Sequence, residues 1–311
     1  RDSWKKGAFF FMNHVNPYNG LAWKDDPAIG FVELFNEQEW GYMHSKAKLH
    51  DETKKEADAK YREWLKTKYK TVEKLAEAWK EKDIDSFEKA EIPPSFPVGS
   101  KKIRDNDYLL FLIDLSHESA EWMYKTMRET GYKGIITQYN ISHWLGGQEA
   151  RYEVSQATIA NTYHNHPTSF SKSGSKCGQN SAVGGAGGYW RGIASMRFAD
   201  RPFVETEFNH SFWNPYVYEC GPLFGAYSAL QGFDCLIIHE GVVYFRKKDP
   251  IHDFSVGRNP VSRAGEFLSA CLFQRGDIKE SSHRIELQIP KDYLESDCNA
   301  GKTVSTEQNK I

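Results

Sequence analysis

Two glutamates stand at the ends of apolar runs, where a carboxyl group could act as an acid, a base or a nucleophile. Glu37 ends the run 29–37 (IGFVELFNE), which has no Gly or Pro after Gly30, and Glu207 lies near the end of the run 201–210 (RPFVETEFNH). Continuous apolar character between turn signals predicts strands buried on both faces. Carboxylates at the carboxyl ends of such strands are candidate catalytic groups, although a strand-end Glu can also be merely solvated or salt-bridged.

Two carboxyl groups that meet across a sugar can hydrolyse a glycosidic bond with retention. One protonates the leaving oxygen, and the other attacks the anomeric carbon from about 5 Å away. The segment 26–39 (DPAIGFVELFNEQE) together with 201–210 resembles the (β/α)8-barrel glycoside hydrolases of clan A, the β-galactosidases, agarases and mannanases. In that clan an Asn-Glu pair ends strand four and a Glu ends strand seven. The resemblance implies Glu37 as acid/base, Asn36 as a ligand of the sugar's 2-hydroxyl, and Glu207 as nucleophile.

The same resemblance implies a His or Tyr at the end of strand six, which hydrogen-bonds the nucleophile or the sugar hydroxyls. The run 157–164 ends in Tyr163 and His164 and is followed closely by His166. We assign the role first to His164, and then to Tyr163 and His166. Three further residues are predicted to bind substrate from other strand ends and loops, namely Tyr139, Trp213 and His239.

The histidines also allow a different chemistry. His164 and His166 are two residues apart, so on one strand they would share a face and could bind a metal ion with Glu207, His210 and His239. The rival enzyme is then a metal-dependent barrel hydrolase or isomerase. A rival from another class is a non-catalytic carbohydrate-binding barrel. The glycosidase mechanism itself needs no metal and no organic cofactor.

The spacing of the acids predicts which one reaches the substrate. Strand side chains alternate with period two, so Glu205 and Glu207 are expected to share a face. Glu207 lies nearer the exit of the strand and is therefore assigned as nucleophile, with Glu205 one layer deeper. The mechanism requires Glu37 to carry a proton and Glu207 to be ionised.

The elements that position these residues alternate between helices and short strands. Strands are predicted at 29–37, 134–140, 157–164, 201–210 and 233–240. Helices are predicted at 3–15, as a pair within 51–82, and at 107–131, 221–232 and 259–273. This order predicts an α/β fold, and under the resemblance a (β/α)8 TIM barrel that is partial at its N-terminus, because strand four arrives after 28 residues. The alternative is a smaller α/β fold that begins here.

Two domains are predicted on this basis. Residues 1–275 would form the barrel catalytic domain, with a helical insertion at about 51–105. Residues 276–311 would begin an accessory β-domain or form a tail, because 283–290 alternates between polar and apolar residues. The Gly-rich segment 171–188 lacks the spacing of a phosphate-binding loop and is interpreted as a mobile lid or rim loop.

Composition limits the partners. The 311 residues carry a net charge of -2, which argues against a nucleic-acid or membrane-surface role. The expected partner is a β-linked carbohydrate, and the expected location is secreted or periplasmic rather than cytoplasmic. The five cysteines lack CxxC spacing, which argues against a zinc site or a disulfide framework, although a single bridge between Cys177 and Cys220 is an open possibility.

Overall fold

The computed structural model describes residues 1–37, 39–41, 44, 50–141, 143–170, 173–241 and 251–305. These residues form two compact units. The first contains the described residues of Arg1–Gln156 and Leu287–Ile311, and the second contains those of Ala157–Glu286. In this described part of the chain no helix is both long enough and apolar enough to cross a membrane.

Helices and parallel strands alternate along the chain, which confirms the predicted α/β class. The helices are α1 (Asp2–Met12), α2 (Asp51–Tyr69), α3 (Val72–Trp79), α4 (Ile103–Glu129), α5 (Leu145–Tyr152), α6 (Gly188–Ala194), α7 (Cys220–Gln231), α8 (Pro260–Leu272) and α9 (Lys291–Glu295). The strands are β1 (Phe31–Glu33), β2 (Ile135–Thr137), β3 (Thr158–His164), β4 (Phe203–His210) and β5 (Cys235–Ile238). All five strand predictions and the main helix predictions are confirmed, with shifted boundaries. The described strands form sheets of two and three, so a complete eight-stranded barrel is not seen in these residues.

In the first unit, β1 and β2 pair in parallel, with Phe31 opposite Ile135 and Glu33 opposite Thr137. Each strand is three residues long, shorter than the sequence predicts. The backbone turns into the left-handed region at Glu37 (φ 52°) and at Tyr139 (φ 47°), so neither strand continues into its polar end. The predicted polar strand ends are therefore turns.

The helical insertion packs on the long helix α4. Ala57, Tyr61 and Leu65 recur every four residues on α2 and are buried, as an amphipathic helix requires. Thr71 caps α3 by accepting a hydrogen bond from the Lys74 amide. The stripe from α2 joins Trp79 of α3 and residues of α4 in one hydrophobic core. The predicted helical pair is confirmed.

In the second unit, β3, β4 and β5 lie side by side in sequence order, and each pair is parallel. Helices α6 and α7 cover one face of this sheet. That layer buries aromatic residues from helix and strand, among them Trp190, Phe203, Phe208 and Phe224. A Cβ at Gly221 of α7 would lie 2.0 Å from the carbonyl oxygen of Gly265 of α8, so glycine is required for the close approach of these helices.

One expectation about the chain is wrong, and one open possibility is not realised. Residues 283–290 form no strand, although they alternate between polar and apolar types; Ile285 is 82% exposed, so the alternation has no sheet to bury it. Residues 287–305 belong to the first unit and include α9, while the accessory β-domain stays a prediction. All five cysteines are free thiols, so the bridge between Cys177 and Cys220 is absent.

Candidate active site

Asn36 and Glu37 occupy the turn that follows β1. The Leu34 amide donates to the Thr137 carbonyl (2.8 Å), and the Tyr139 amide donates to the Phe35 carbonyl (3.2 Å). The next amide, that of Glu37, donates instead to the side-chain oxygen of Asn140 (3.0 Å). A side chain thus replaces the backbone acceptor at the position where the predicted acid/base stands.

Tyr139 differs in its surroundings from a typical sugar ligand. Its ring is 5% exposed and belongs to the core between β1, β2 and the helices α1 and α4. Burial raises the pKa of this phenol above its usual value, with a smaller contribution from the negative charge of Glu39. Its predicted contact with substrate stays a prediction.

A buried charged group lies near β1, and the sequence analysis did not identify it. Arg151 of α5 is 1% exposed. Burial lowers the pKa of its guanidinium to about 10, and the charges of Glu33 and Glu39 oppose that shift. The signal available in the sequence was a basic residue on a helix whose other residues include the small, buried Gly146 and Gly147. That signal does not distinguish Arg151 from a solvated arginine.

A β-bulge separates the two acids of β4. Glu205 lies opposite Ala160 of β3 and Glu207 lies opposite Asn161, with one extra residue between them on β4. Successive residues of β3 point to opposite faces, so the two glutamates do as well. The prediction that they share a face is therefore wrong, because period-two counting fails across a bulge.

Glu207 is partly exposed and accepts a hydrogen bond from the hydroxyl of Tyr163. Tyr163 is two residues beyond Asn161 and shares its face, which explains why it reaches Glu207. The hydrogen bond that we assigned first to His164 is thus made by Tyr163. A hydroxyl that donates to a carboxyl group fixes the orientation of that group.

Glu205 points toward the layer between sheet and helices and is fully buried. Neither carboxyl oxygen has a hydrogen-bond partner among the residues that the structure describes. Burial raises the pKa of Glu205 well above its usual value, and the charge of Glu207 raises it further. Both effects disfavour the ionised form of Glu205.

His164 lies on the same covered face. Its Nε2 contacts the Asn180 carbonyl oxygen at 2.9 Å, and its ring lies 4.9 Å from the ring of His210. His210 is hydrogen-bonded to the hydroxyl of Tyr189 of α6. Burial, with a smaller effect of His164, lowers the pKa of His210 to about 4, so this imidazole is neutral at pH 7.

An aromatic cluster surrounds Tyr163 on the side of Glu207. Phe254 lies at its centre, with ring centroids 4.8 Å from Tyr163, 5.5 Å from His239 and 5.7 Å from His166. Flat apolar faces beside a carboxylate suit a sugar ring. The predicted residues Tyr163, His166, Glu207 and His239 therefore lie in one part of the second unit, and Phe254 is a member that the sequence analysis missed.

Trp213 follows β4 in the predicted aromatic loop. Its side chain is 69% exposed and its ring lies 4.3 Å from that of Phe212. Its backbone has a φ of 80°, which is unusual for a bulky residue. An exposed indole in a strained loop is available for stacking, and its contact with sugar stays a prediction.

The Gly-rich segment is tied down at its second half. Glu219 accepts hydrogen bonds from the Ser181 hydroxyl (2.6 Å) and from the amides of Ala182 (2.8 Å) and Val183 (3.0 Å). Burial alone would raise the pKa of Glu219, but these hydrogen bonds together lower it. This carboxylate therefore anchors the segment that the sequence analysis interpreted as a lid; residues 171 and 172 of that segment lie outside the described residues.

The metal alternative finds no support in the described geometry. Within the described ranges, no group of three or more His, Cys, Asp or Glu side chains is arranged to hold a metal ion. His164 and His166, proposed as a pair, make separate contacts: His164 with Asn180, and His166 Nδ1 with the Pro167 carbonyl oxygen (3.0 Å).

The predicted residues are divided between the two units. Asn36, Glu37 and Tyr139 belong to the first, and Glu207 with the other predicted residues belongs to the second. Glu37 lies in the turn after the parallel strand β1, and Glu207 lies within the parallel strand β4. Their meeting across one sugar stays a prediction.

Comparison with solved structures gives the fold. A cold-adapted β-galactosidase from Rahnella sp. R3 superposes with a TM-score of 0.55 at 15% identity, covering 87% of this chain and 38% of that protein. An exo-β-agarase superposes with a TM-score of 0.52 at 14% identity, covering 87% of this chain and 39% of that protein. The chain thus spans about two fifths of the length of these proteins. A comparison with curated protein sequences finds no significant match.

The sequence itself gives the family. The model of glycoside hydrolase family 42, described as β-galactosidase, matches residues 21–219, well over half of the chain. The matched range contains both predicted catalytic glutamates, Glu37 and Glu207, and the hydrogen-bonding Tyr163. The chain belongs to glycoside hydrolase family 42, the β-galactosidase family.

Proposed function

We propose that this chain carries the catalytic glutamates of a retaining β-glycosidase built on a (β/α)8 barrel. One observation supports the proposal: the family match over residues 21–219 includes Glu37, in the turn after the parallel strand β1, and Glu207, in the second half of the parallel strand β4. Catalytic groups of such barrels come from the carboxyl ends of their strands. The superposition with a β-galactosidase and an agarase supports the barrel fold.

In the proposed mechanism Glu37 donates its proton to the glycosidic oxygen while the Glu207 carboxylate attacks the anomeric carbon. The bond from that carbon to the leaving oxygen breaks, and the aglycone leaves as an alcohol. Glu37, now ionised, takes a proton from water, and the oxygen of that water displaces Glu207 with a second inversion. Configuration at the anomeric carbon is therefore retained.

Three side chains support the two acids in this scheme. Tyr163 donates a hydrogen bond to Glu207 and so orients its carboxyl group. Asn36 binds the 2-hydroxyl, a contact that strengthens as the oxocarbenium-like transition state forms. His239 lies in the aromatic cluster and would contact the sugar ring. No step in this scheme requires a metal ion.

The substrate class follows from the family and the cluster. We propose a β-linked saccharide, with β-galactosides first, because the matched family is described as β-galactosidase. Tyr163 is partly exposed and offers an aromatic face to a pyranose ring, and the buried Phe254 packs against it. The absence of nucleic-acid and membrane partners and the secreted or periplasmic location stay predictions.

Substitution of each acid tests the proposal on aryl β-D-galactosides with good and poor leaving groups. Glu37→Gln should lower kcat/KM about 10²–10⁴-fold on poor leaving groups and far less on good ones, because only poor leaving groups need the acid. Glu207→Gln should abolish turnover of both. Glu153→Gln is the matched control, since Glu153 is exposed on the surface of the first unit.

The anomer of the product tests the mechanism. The first product seen by NMR should keep the β configuration, and early α product would contradict retention. In the presence of azide, Glu37→Ala should form the β-galactosyl azide, because azide replaces the water that attacks the glycosyl-enzyme. Glu207→Ala should form the α-galactosyl azide, because azide replaces the missing nucleophile. If wild type and variants all bind galactoside and do not differ in turnover, the result would instead favour a non-catalytic carbohydrate-binding barrel.

A further inference from the structure

The ladder between β1 and β2 ends on an amide side chain. Asn140 is 1% exposed and makes two hydrogen bonds to the predicted catalytic turn. Its Oδ1 accepts from the Glu37 amide at 3.0 Å, and its Nδ2 donates to Oδ1 of Asn36 at 2.6 Å. One buried side chain thus contacts both residues of the Asn-Glu pair.

The first contact fixes the direction of the second. A backbone N–H can only donate, so the atom of Asn140 that faces Glu37 must be its oxygen. The NH2 of Asn140 then faces Asn36, which must present its own oxygen as the acceptor. The NH2 of Asn36 is consequently turned away from Asn140, and Asn36 is exposed. Asn36 therefore offers a hydrogen-bond donor to whatever binds beside Glu37.

The same turn is conformationally unfavourable. Glu37 has a φ of 52°, a left-handed conformation that costs an L residue roughly 1 kcal/mol or more. Tyr139, next to Asn140, has a φ of 47°, and its amide is held by the Phe35 carbonyl. Such a backbone persists only where neighbouring contacts hold it, and Asn140 supplies the contact at Glu37.

We propose that Asn140 is a positioning residue: it holds the backbone of Glu37 in the left-handed turn and orients the Asn36 amide so that its NH2 donates to the sugar's 2-hydroxyl. The inference rests on the proposed function, because it assigns the sugar contact to Asn36 and acid catalysis to Glu37. Asn140 acts through these two residues and itself contacts neither substrate nor the reacting atoms.

Two substitutions separate the two contacts. Asn140→Ala removes both. Asn140→Asp keeps an oxygen for the Glu37 amide but has no donor for Asn36, whose amide must then flip and present its NH2 to the introduced carboxylate. Asn13→Ala is the matched control, since Asn13 is an exposed asparagine of the first unit.

The kinetic readout is a ratio. For each protein, kcat/KM is measured on an aryl β-D-galactoside and on its 2-deoxy analogue. Both Asn140 variants should lower the ratio of the two values about tenfold relative to wild type, because the Asn36 NH2 is turned away from the 2-hydroxyl in Asn140→Asp and is no longer held toward it in Asn140→Ala. A variant that is only less well folded lowers both values equally and leaves the ratio unchanged. An unchanged ratio in Asn140→Asp overturns the assignment.

Amide exchange gives a readout that does not depend on activity. The Glu37 amide, followed by NMR in protein labelled with ¹⁵N-glutamate, should stay protected in Asn140→Asp and exchange at least tenfold faster in Asn140→Ala. Equal protection in Asn140→Ala and wild type overturns the backbone contact. If wild type turns over neither galactoside, the proposed function fails and the role of Asn36 with it, and the exchange result reports separately on the hydrogen bond.

Discussion

The helical insertion depends on one buried carboxylate, which gives a sharp prediction about stability. Asp107 of α4 is fully buried and accepts three hydrogen bonds, each 2.7 Å long. The donors are Lys68 Nζ, the Tyr69 hydroxyl and Trp79 Nε1. Asp107 therefore joins the end of α2, the end of α3 and the start of α4 through a single side chain.

The structure sets the size of the effect. Asp107→Ala leaves the buried Trp79 N–H and the half-buried Tyr69 hydroxyl without an acceptor, and each loss costs about 1–3 kcal/mol. Lys68 is 37% exposed and can turn to water, so its ion pair adds little. We expect the free energy of unfolding to fall by about 3–5 kcal/mol, and by about 2 kcal/mol in Asp107→Asn, which keeps one carbonyl oxygen.

A matched control stands on the same helix. Asp114 accepts a hydrogen bond of the same length, 2.7 Å, from Trp64 Nε1, but at the exposed surface. Asp114→Ala should cost less than about 1 kcal/mol, because water replaces the carboxylate. Urea denaturation followed by circular dichroism at 222 nm measures all three variants. Equal destabilisation by Asp107→Ala and Asp114→Ala would refute the reasoning.

Four further predictions concern the second unit. The pKa of His210 is lowered to about 4, so the contribution of its neutral imidazole to stability is complete above pH 6.5 and is lost as pH falls toward 4. Between pH 7 and 4 the free energy of unfolding of wild type should fall by about 3 kcal/mol more than that of His210→Gln. Equal decreases in urea denaturation would contradict this prediction. The raised pKa of Glu205 makes wild type less stable as pH rises, because the carboxyl group ionises in the unfolded chain before it ionises in the folded one. Relative to wild type, Glu205→Gln should therefore gain stability above about pH 4.5, by up to about 1.4 kcal/mol per pH unit. A difference in stability that does not change with pH would show that folded Glu205 is charged. Tyr163→Phe should lower kcat on β-galactosides about 10–100-fold at an unchanged melting temperature, since Glu207 loses its donor, and a change below twofold would count against that role. Glu219→Gln should raise the rate of limited proteolysis within 173–188 about tenfold, since an amide cannot accept all three hydrogen bonds, and an unchanged cleavage rate would contradict the anchor.

The sequence by itself determined the elements and the family, and it supplied the prediction of the two acids. Apolar runs bounded by turn residues gave every described strand, and aromatic and apolar residues at helical spacing within 51–82 gave the helical pair of the insertion. The pairing of an Asn-Glu with a distant strand-end Glu gave the family that the matched model bears out. These features are local or depend on residue type, so no three-dimensional information was needed to find them.

The tertiary structure alone decided which side chains meet. One extra residue in β4 turned Glu205 into the helix layer and Glu207 toward Tyr163, and a bulge leaves no mark in an apolar pattern. Asn140 reaches Glu37 across 103 residues, and Arg151 is buried near Glu33 and Glu39, because parallel pairing and burial bring distant segments together. The sequence specifies which residues can do the chemistry. Strand register and burial decide which of them are charged, hydrogen-bonded and oriented to do it.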